Sequence, residues 1–341
     1  MMDRRGALAG LSGAALALAL PAPALAASRR KPPRLQSGDR VGLVAPASAL
    51  TLPWELDRAQ HWVRGMGLEP VLGRHVREQD GYLAGTDAAR AADLMAMFAD
   101  PGIRGIFAVR GGWGGARILP LLDWAVIAAN PKLLIGYSDT TALHLSIAAK
   151  AGFPTIHGPN AASRWERESW ESLWRLAFAG DTPVLGGVAV EEASGRTGRT
   201  ITGGTAHGRL LGGNLTIVST LMGTPYVPDM RGAILFLEDV NEDVYRVDRM
   251  LQQLRLAGVL EQLSGVVFGQ CTRCAVEPGE GEAKGFTLDD ILDHHLGGLG
   301  IPAFAGANIG HVTNQLALPH GAQVELDGER RTIRLLEPLT A

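Results

Sequence analysis

Three short segments hold residues whose types and spacing could do chemistry. The first is Gly136-Tyr137-Ser138-Asp139-Thr140-Thr141, where the run Lys132-Leu133-Leu134-Ile135 stops and a helical pattern over Thr141–Ala149 begins. A serine at a sharp strand-to-helix joint is lifted clear of the sheet, beside amides that can stabilise an oxyanion. The second is Ile234-Leu235-Phe236-Leu237-Glu238-Asp239, an apolar strand ending in two carboxylates. The third is Asn308-Ile309-Gly310-His311, after Pro302-Ala303-Phe304-Ala305. A serine, a histidine and an acid work together because the imidazole takes the serine proton and returns it to the leaving amine. The acid fixes the tautomer and stabilises the charged ring. The order Ser…Glu…His is that of α/β-hydrolases, but the elbow reads Gly-x-Ser-x-Thr instead of Gly-x-Ser-x-Gly, so that family is not indicated. Each residue also has a plainer reading: an N-cap serine, a solvated turn glutamate, a histidine lining a loop.

Arg110-Gly111-Gly112-Trp113-Gly114-Gly115 is a loop whose amides can approach a ligand closely. It is no dinucleotide fingerprint, since Arg117 stands where a third glycine is needed, and no Gly-Lys-Ser/Thr follows to make a phosphate loop. Oxyanion donors from Gly112 and Asp139 suit acyl transfer better; a tight turn is the plainer alternative. No metal is expected, because the histidines are scattered without His-Glu-x-x-His spacing, and no cofactor is implied. Cys271 and Cys274 are half a zinc site at most, so they read as structural or incidental, with a short-loop disulfide one option.

The surrounding chain supplies the elements that must hold these residues. From Arg40 onward, continuously apolar strands (Val41–Pro46, Leu68–Leu72, Gly105–Arg110, Leu133–Tyr137) alternate with helices over Glu55–Met66 and Ala88–Ala99, the latter capped by Thr86 or Asp87. Strands apolar on both faces indicate a parallel sheet covered on both sides. In open sheets of this kind, groups at the carboxyl ends of the strands face the ligand crevice. A Trp-rich helix (Trp165, Trp170, Trp174) leads into polar sequence through Gly195-Arg196-Thr197 to Gly204, read as a domain connection. Beyond it the pattern predicts strands at Gly232–Leu237, Val266–Gly269, Gln315–Leu318, Val324–Asp327 and Thr332–Leu336, with helices at Val244–Ala257 and Leu288–Leu296.

The 341 residues carry a net charge of −3 and are 46% hydrophobic, which fits two soluble globular domains and offers no basic patch for nucleic acid. The N-terminus reads as an export signal. Asp3-Arg4-Arg5 precedes an apolar stretch from Ala7 to Leu20 and an Ala-x-Ala site, with cleavage expected after Ala26. The Arg-Arg pair hints at twin-arginine export. That stretch falls short of the ~20 residues a spanning helix needs, so no stable membrane insertion is expected after cleavage, and the location is periplasmic.

The whole region after this signal resembles the LD-carboxypeptidase family of serine peptidases, which takes in muramoyltetrapeptide carboxypeptidases and microcin-immunity relatives. The resemblance is carried by Val41–Ser48, Arg110–Gly115 with Leu119-Pro120-Leu121-Leu122-Asp123, and Ile135–Thr141. It continues through His157-Gly158-Pro159, Gly208–Asn214, Leu237-Glu238-Asp239 with Tyr245–Arg249, and Gly310-His311 with Leu318-Pro319. It implies Ser138 as nucleophile, His311 as general base and Glu238 as the orienting acid. It also implies an α/β fold: an N-terminal parallel-sheet (flavodoxin/amidotransferase-like) domain plus a mixed α/β C-terminal domain. The divisions expected are a signal at 1–26, a nucleophile domain at 35–165, a connection at 166–207 and a domain carrying acid and histidine at 208–341. A homodimer and a muropeptide substrate follow from the resemblance, with release of terminal D-alanine from the murein tetrapeptide. The export signal sets this chain apart from family members that act in the cytoplasm. Two alternatives stand beside this reading: a serine amidase of the same fold acting on a peptide-nucleotide toxin, and a periplasmic solute-binding protein. Arg110 and Arg246 are candidate anchors for a terminal carboxylate.

Overall fold

A computed structural model describes residues 31–187, 198–274 and 285–341. The export segment at 1–26 and the Gly195-Arg196-Thr197 part of the connection lie outside the described residues. The N-terminal strands are Arg40–Val44 (β1), Glu69–Leu72 (β2), Gly105–Ala108 (β3), Leu133–Gly136 (β4) and Thr155–His157 (β5). Between them run the helices Glu55–Gly65 (α1), Asp87–Ala99 (α2), Gly115–Ile118 (α3), Trp124–Ala129 (α4) and Thr141–Lys150 (α5). Thr86 caps α2, its hydroxyl accepting from the Ala89 amide at 3.1 Å. The five strands pair in parallel in the order β2-β1-β3-β4-β5. This is the flavodoxin-like order, whose direction of winding reverses between β1 and β3. There the loops leaving the strand ends part and open a crevice.

The second sheet is mixed, as its alternation of hairpins and crossovers requires. It contains Val184–Gly186 (β6), Arg199–Thr202 (β7), Thr205–Asn214 (β8), Ile234–Val240 (β9), Gly265–Thr272 (β10), Ala303–Ala305 (β11), Gln323–Asp327 (β13) and Thr332–Leu335 (β14). The order is β6-β14-β13-β8-β9-β10-β11-β7, with β8 through β11 parallel and the rest antiparallel. The segment read as a connection therefore supplies both edge strands of this sheet. β8, a central strand, escaped the sequence pattern because Gly208, Gly212 and Gly213 thin out its apolar residues.

Leu318–His320 (β12) begins where a closing strand of the second domain was expected to end. It crosses instead to the first sheet, antiparallel to β5, with Leu318 opposite His157. Its place at the sheet edge tolerates Pro319, which has no N–H to give a ladder.

The two sheets share their cores. One apolar cluster joins Phe98 and Leu143 to Leu235 and Val247; another joins Val41, Phe107 and Ile135 to Phe236, Phe304 and Val324. Helix α5 is buried from Thr141 to Ala148, as a helix apolar on every side must be. It packs against β5 of one sheet and β8 of the other. Gly213, at φ 136°, lets β8 pass so close that a Cβ there would strike the Thr141 side chain. The Thr141 hydroxyl in turn accepts from the Asn214 amide at 3.0 Å. The helix behind the candidate nucleophile is thereby fastened to the strand beside the candidate acid.

Candidate active site

Ser138 leaves β4 through a tight Ser138–Thr140 3₁₀ turn that runs directly into α5. Its φ of 63° lies in the left-handed region, a conformation that costs a non-glycine residue about 1–3 kcal/mol and persists only where its surroundings impose it. Here they do. The Tyr137 amide donates to Asn160 Oδ1 at 3.2 Å on one side of the turn, and Asp139 Oδ2 accepts from the Gly115 amide at 2.6 Å on the other. Burial pushes the Asp139 carboxyl up, against the opposing pull of the Gly115 and Gly114 amides.

Glu238 lies inside β9, in register with Asn214 of β8, and is wholly buried. A solvated turn residue it is not. His311 arrives on the loop after β11 through Gly310, whose φ is 103° and whose absent Cβ would lie 2.7 Å from Glu238 Cβ. Only glycine lets the loop come that near. His311 Nδ1 is 2.7 Å from Glu238 Oε2, and its Nε2 is 3.0 Å from Ser138 Oγ. An ionised carboxylate can only accept, so Nδ1–H donates to Glu238 and Nε2 is free to accept from the Ser138 hydroxyl. Burial pushes the Glu238 carboxyl up; the His311 hydrogen bond and charge pull it back. The Tyr137 ring lies 4.8 Å from the His311 ring, centroid to centroid, and limits its swing.

Ser138 and His311 open onto a cleft of about 370 Å³ that Gly111, Gly112, Glu55, Arg58 and Arg110 also line. The glycine loop is fixed from the end of β1, where Ser48 Oγ accepts from the Trp113 amide at 2.9 Å and the Ser48 amide donates to Gly111 O at 3.3 Å. No acceptor is found for the Gly112 or Asp139 amide among the described residues. An uncommitted amide beside a nucleophile is what an oxyanion needs.

The structure brings Ser138, Glu238 and His311 into one hydrogen-bonded chain, with Gly112 in the same cleft and the Asp139 amide next to Ser138. Arg110 lines the cleft, while Arg246 does not; its guanidinium meets Asp243 at 3.2 Å and the Tyr245 hydroxyl at 3.1 Å. Sequence reasoning passed over Ser48, Asn160 and Arg58. The first two lie just beyond strands, which is the signal that could have found them. Cys271 and Cys274 are joined in a disulfide at the end of β10. Among the described residues no cluster of His, Cys, Asp or Glu is arranged to hold a metal ion, and no helix is long and apolar enough to cross a membrane.

Residues 41–158 match the model of the LD-carboxypeptidase N-terminal domain, and residues 207–326 that of the LD-carboxypeptidase C-terminal domain. The chain is 35% identical over 302 residues to the "Probable murein peptide carboxypeptidase" of Bacillus subtilis, covering 89% of this chain and 93% of that one. It is also 35% identical over 305 residues to the murein tetrapeptide carboxypeptidase of Pseudomonas aeruginosa, covering 85% and 94%. Among solved structures it is similar to the microcin C7 self-immunity protein MccF in complex with glutamyl sulfamoyl guanosine. The TM-score is 0.82 at 25% identity, over 91% of this chain and 99% of that one.

Proposed function

The chain belongs to the LD-carboxypeptidase family of serine peptidases, and we propose that it hydrolyses the L-to-D amide of a murein tetrapeptide, releasing terminal D-alanine. The observation that carries this reading is the unbroken line Glu238–His311–Ser138 opening onto a cleft with uncommitted amides.

In this mechanism Ser138 Oγ attacks the carbonyl carbon of the residue preceding D-alanine while His311 Nε2 takes its proton. The Gly112 and Asp139 amides hold the oxyanion. Glu238 keeps the imidazole in the tautomer that accepts at Nε2, and stabilises the imidazolium once formed. Collapse of the tetrahedral intermediate breaks the C–N bond, and His311 gives its proton to the departing amine. Water, deprotonated by His311, then attacks the acyl-serine ester; Ser138 leaves and recovers its proton.

Purified protein incubated with defined muropeptides and read by mass spectrometry tests this. A tetrapeptide should lose one D-alanine, with turnover at least ~100-fold poorer for a pentapeptide ending in D-Ala-D-Ala, whose extra residue displaces the scissile bond. Equal rates for terminal D- and L-alanine would defeat the assignment. The second reading, an amidase for a peptide-nucleotide conjugate, is favoured by the structural likeness to MccF. Cleavage of an aminoacyl sulfamoyl nucleoside in preference to the tetrapeptide would promote it.

Export and assembly belong to the same proposal. The charged start, apolar stretch and Ala-x-Ala site support a secreted, periplasmic enzyme, for which intact mass of natively expressed protein should give an N-terminus near Ala27. A homodimer is the expected assembly, and sedimentation equilibrium measures it directly.

A further inference from the structure

We propose that Arg58 binds the free terminal carboxylate of the substrate and thereby confines cleavage to the last residue of a chain. The inference rests on the carboxypeptidase reading above and deepens it. Besides His311, the cleft is lined by three charged side chains, Glu55, Arg58 and Arg110, and two of these are committed to one another. Glu55 Oε1 lies 3.5 Å from Arg110 Nη1, while its Oε2 accepts from the Thr51 amide at 2.6 Å and the Leu52 amide at 2.9 Å. Arg110 Nη1 also donates to Ala49 O at 3.1 Å and Thr51 Oγ1 at 3.0 Å.

Arg58 has no such partner. It sits one turn after Glu55 on α1, so the two share a helix face, yet Glu55 is already taken by Arg110 and the helix-capping amides. Among the described residues no hydrogen bond or ion pair engages the Arg58 side chain, whose backbone amide alone is bonded, to Trp54 O at 2.9 Å, and its Nε is closed off from solvent without an acceptor. A buried donor left unmade is costly and calls for an explanation, and an anion arriving from the adjoining cleft supplies one. The guanidinium rests over the Trp54 ring, 4.3 Å from its centroid. Stacking occupies the face of the planar group and leaves its in-plane N–H fork for a carboxylate, which matches it in a bidentate pair. Of the charged side chains that line the cleft, Glu55 and Arg110 cancel and Arg58 is left facing it without a counter-charge, which the terminal carboxylate would bring.

The test compares kcat/KM for a murein tetrapeptide ending in D-alanine with that for the same peptide ending in D-alaninamide. Wild type should prefer the acid by ~100-fold, as expected when a charged hydrogen bond is lost at a desolvated site. Arg58→Ala should slow the acid by a similar factor and bring the acid-to-amide ratio within ~3-fold of unity, since it acts only through the missing charge. Arg58→Lys keeps the charge without the fork, so its ratio should fall between. The double variant Glu55→Gln/Arg110→Gln, which removes the opposed pair together and leaves Arg58 without a new partner carboxylate, should keep the acid preference whatever its effect on rate. Labelling of Ser138 by a fluorophosphonate reports whether each variant holds an intact site; should Arg58→Ala fail to label, the lysine variant carries the ratio. An Arg58 variant that labels and keeps the full preference overturns the inference alone. Loss of the preference in Glu55→Gln/Arg110→Gln but not in Arg58→Ala overturns it likewise. No D-alanine release by wild type overturns the carboxypeptidase reading, and this inference with it.

Discussion

Two groups of histidines lie close together in this molecule, and the fold handles them in opposite ways. His311 stands at the mouth of the cleft with a carboxylate on one ring nitrogen and a hydroxyl on the other. His144, His157 and His320 lie between the two sheets, all fully buried, with ring centroids 6.0 Å apart for His144 and His157 and 5.5 Å for His144 and His320. Within this trio His144 is bonded by Gly136 O and Thr155 Oγ1, each at 2.8 Å, while neither nitrogen of His157 has a partner. Burial pushes His144 down to about 4, and it pushes His157 and His320 well below their ordinary value. An imidazole can cycle through its charged form only where something nearby absorbs the charge. Glu238 gives His311 that means, and the inner three have nothing comparable.

The largest effect should come from breaking the first group. Ser138→Ala or His311→Ala should each lower kcat by ~10⁵-fold or more, and the double variant should lose little beyond either single one, because the members act as a unit. Additive losses in steady-state assays would sink the triad. Glu238→Gln should follow at ~10³–10⁴-fold, because an amide admits the wrong imidazole tautomer; a rate near wild type would remove the acid's role and with it the contrast.

The inner group should be read in stability instead. Its folded-state values are depressed, so the unfolded chain binds these protons more readily. Their contribution is therefore complete above the ordinary value of 6.5 and declines as pH falls below it; for His144 the decline ends near its folded value of about 4. Urea denaturation between pH 7 and pH 4 should show this loss, and a flat profile would contradict it. The smallest effect is expected for His157→Leu, which removes two unpartnered nitrogens from an apolar setting. Stability at neutral pH should change by less than ~1.5 kcal/mol, the onset of acid unfolding should move down, and kcat/KM should stay within ~3-fold. A loss of turnover like that of His311→Ala would erase the distinction between the groups.

How much of this was legible beforehand depended on how local the signal was. The elbow could be read because an apolar strand, a serine and a helix start are adjacent in the chain. Glu238 and His311 could be placed because each follows apolar residues at the same end of a parallel unit. β8 was hidden by its own glycines, which serve close approaches that no local pattern announces: Gly213 to the Thr141 side chain, Gly212 to the Phe236 backbone and Gly208 to the Gly232 carbonyl. The partner of β12 was unreadable for a similar reason: strand pairing at long range is decided by shape and burial, whereas periodicity reports only that a strand is there. Arg58 carried no signal at all, since an arginine on a helix beside a glutamate looks like any solvated pair until Glu55 is seen to face Arg110.

The crossing of Leu318–His320 into the first sheet also sets a schedule. During synthesis β1 through β5 are finished long before β12 exists, and until it arrives β5 has bare amides and carbonyls along one side. The half of the protein that carries the serine is thus the first to be made and among the last to be closed. A chain interrupted anywhere before Leu318 holds its nucleophile without a histidine anchored by the strand beyond it, and offers an unpaired strand to any neighbour that can extend it.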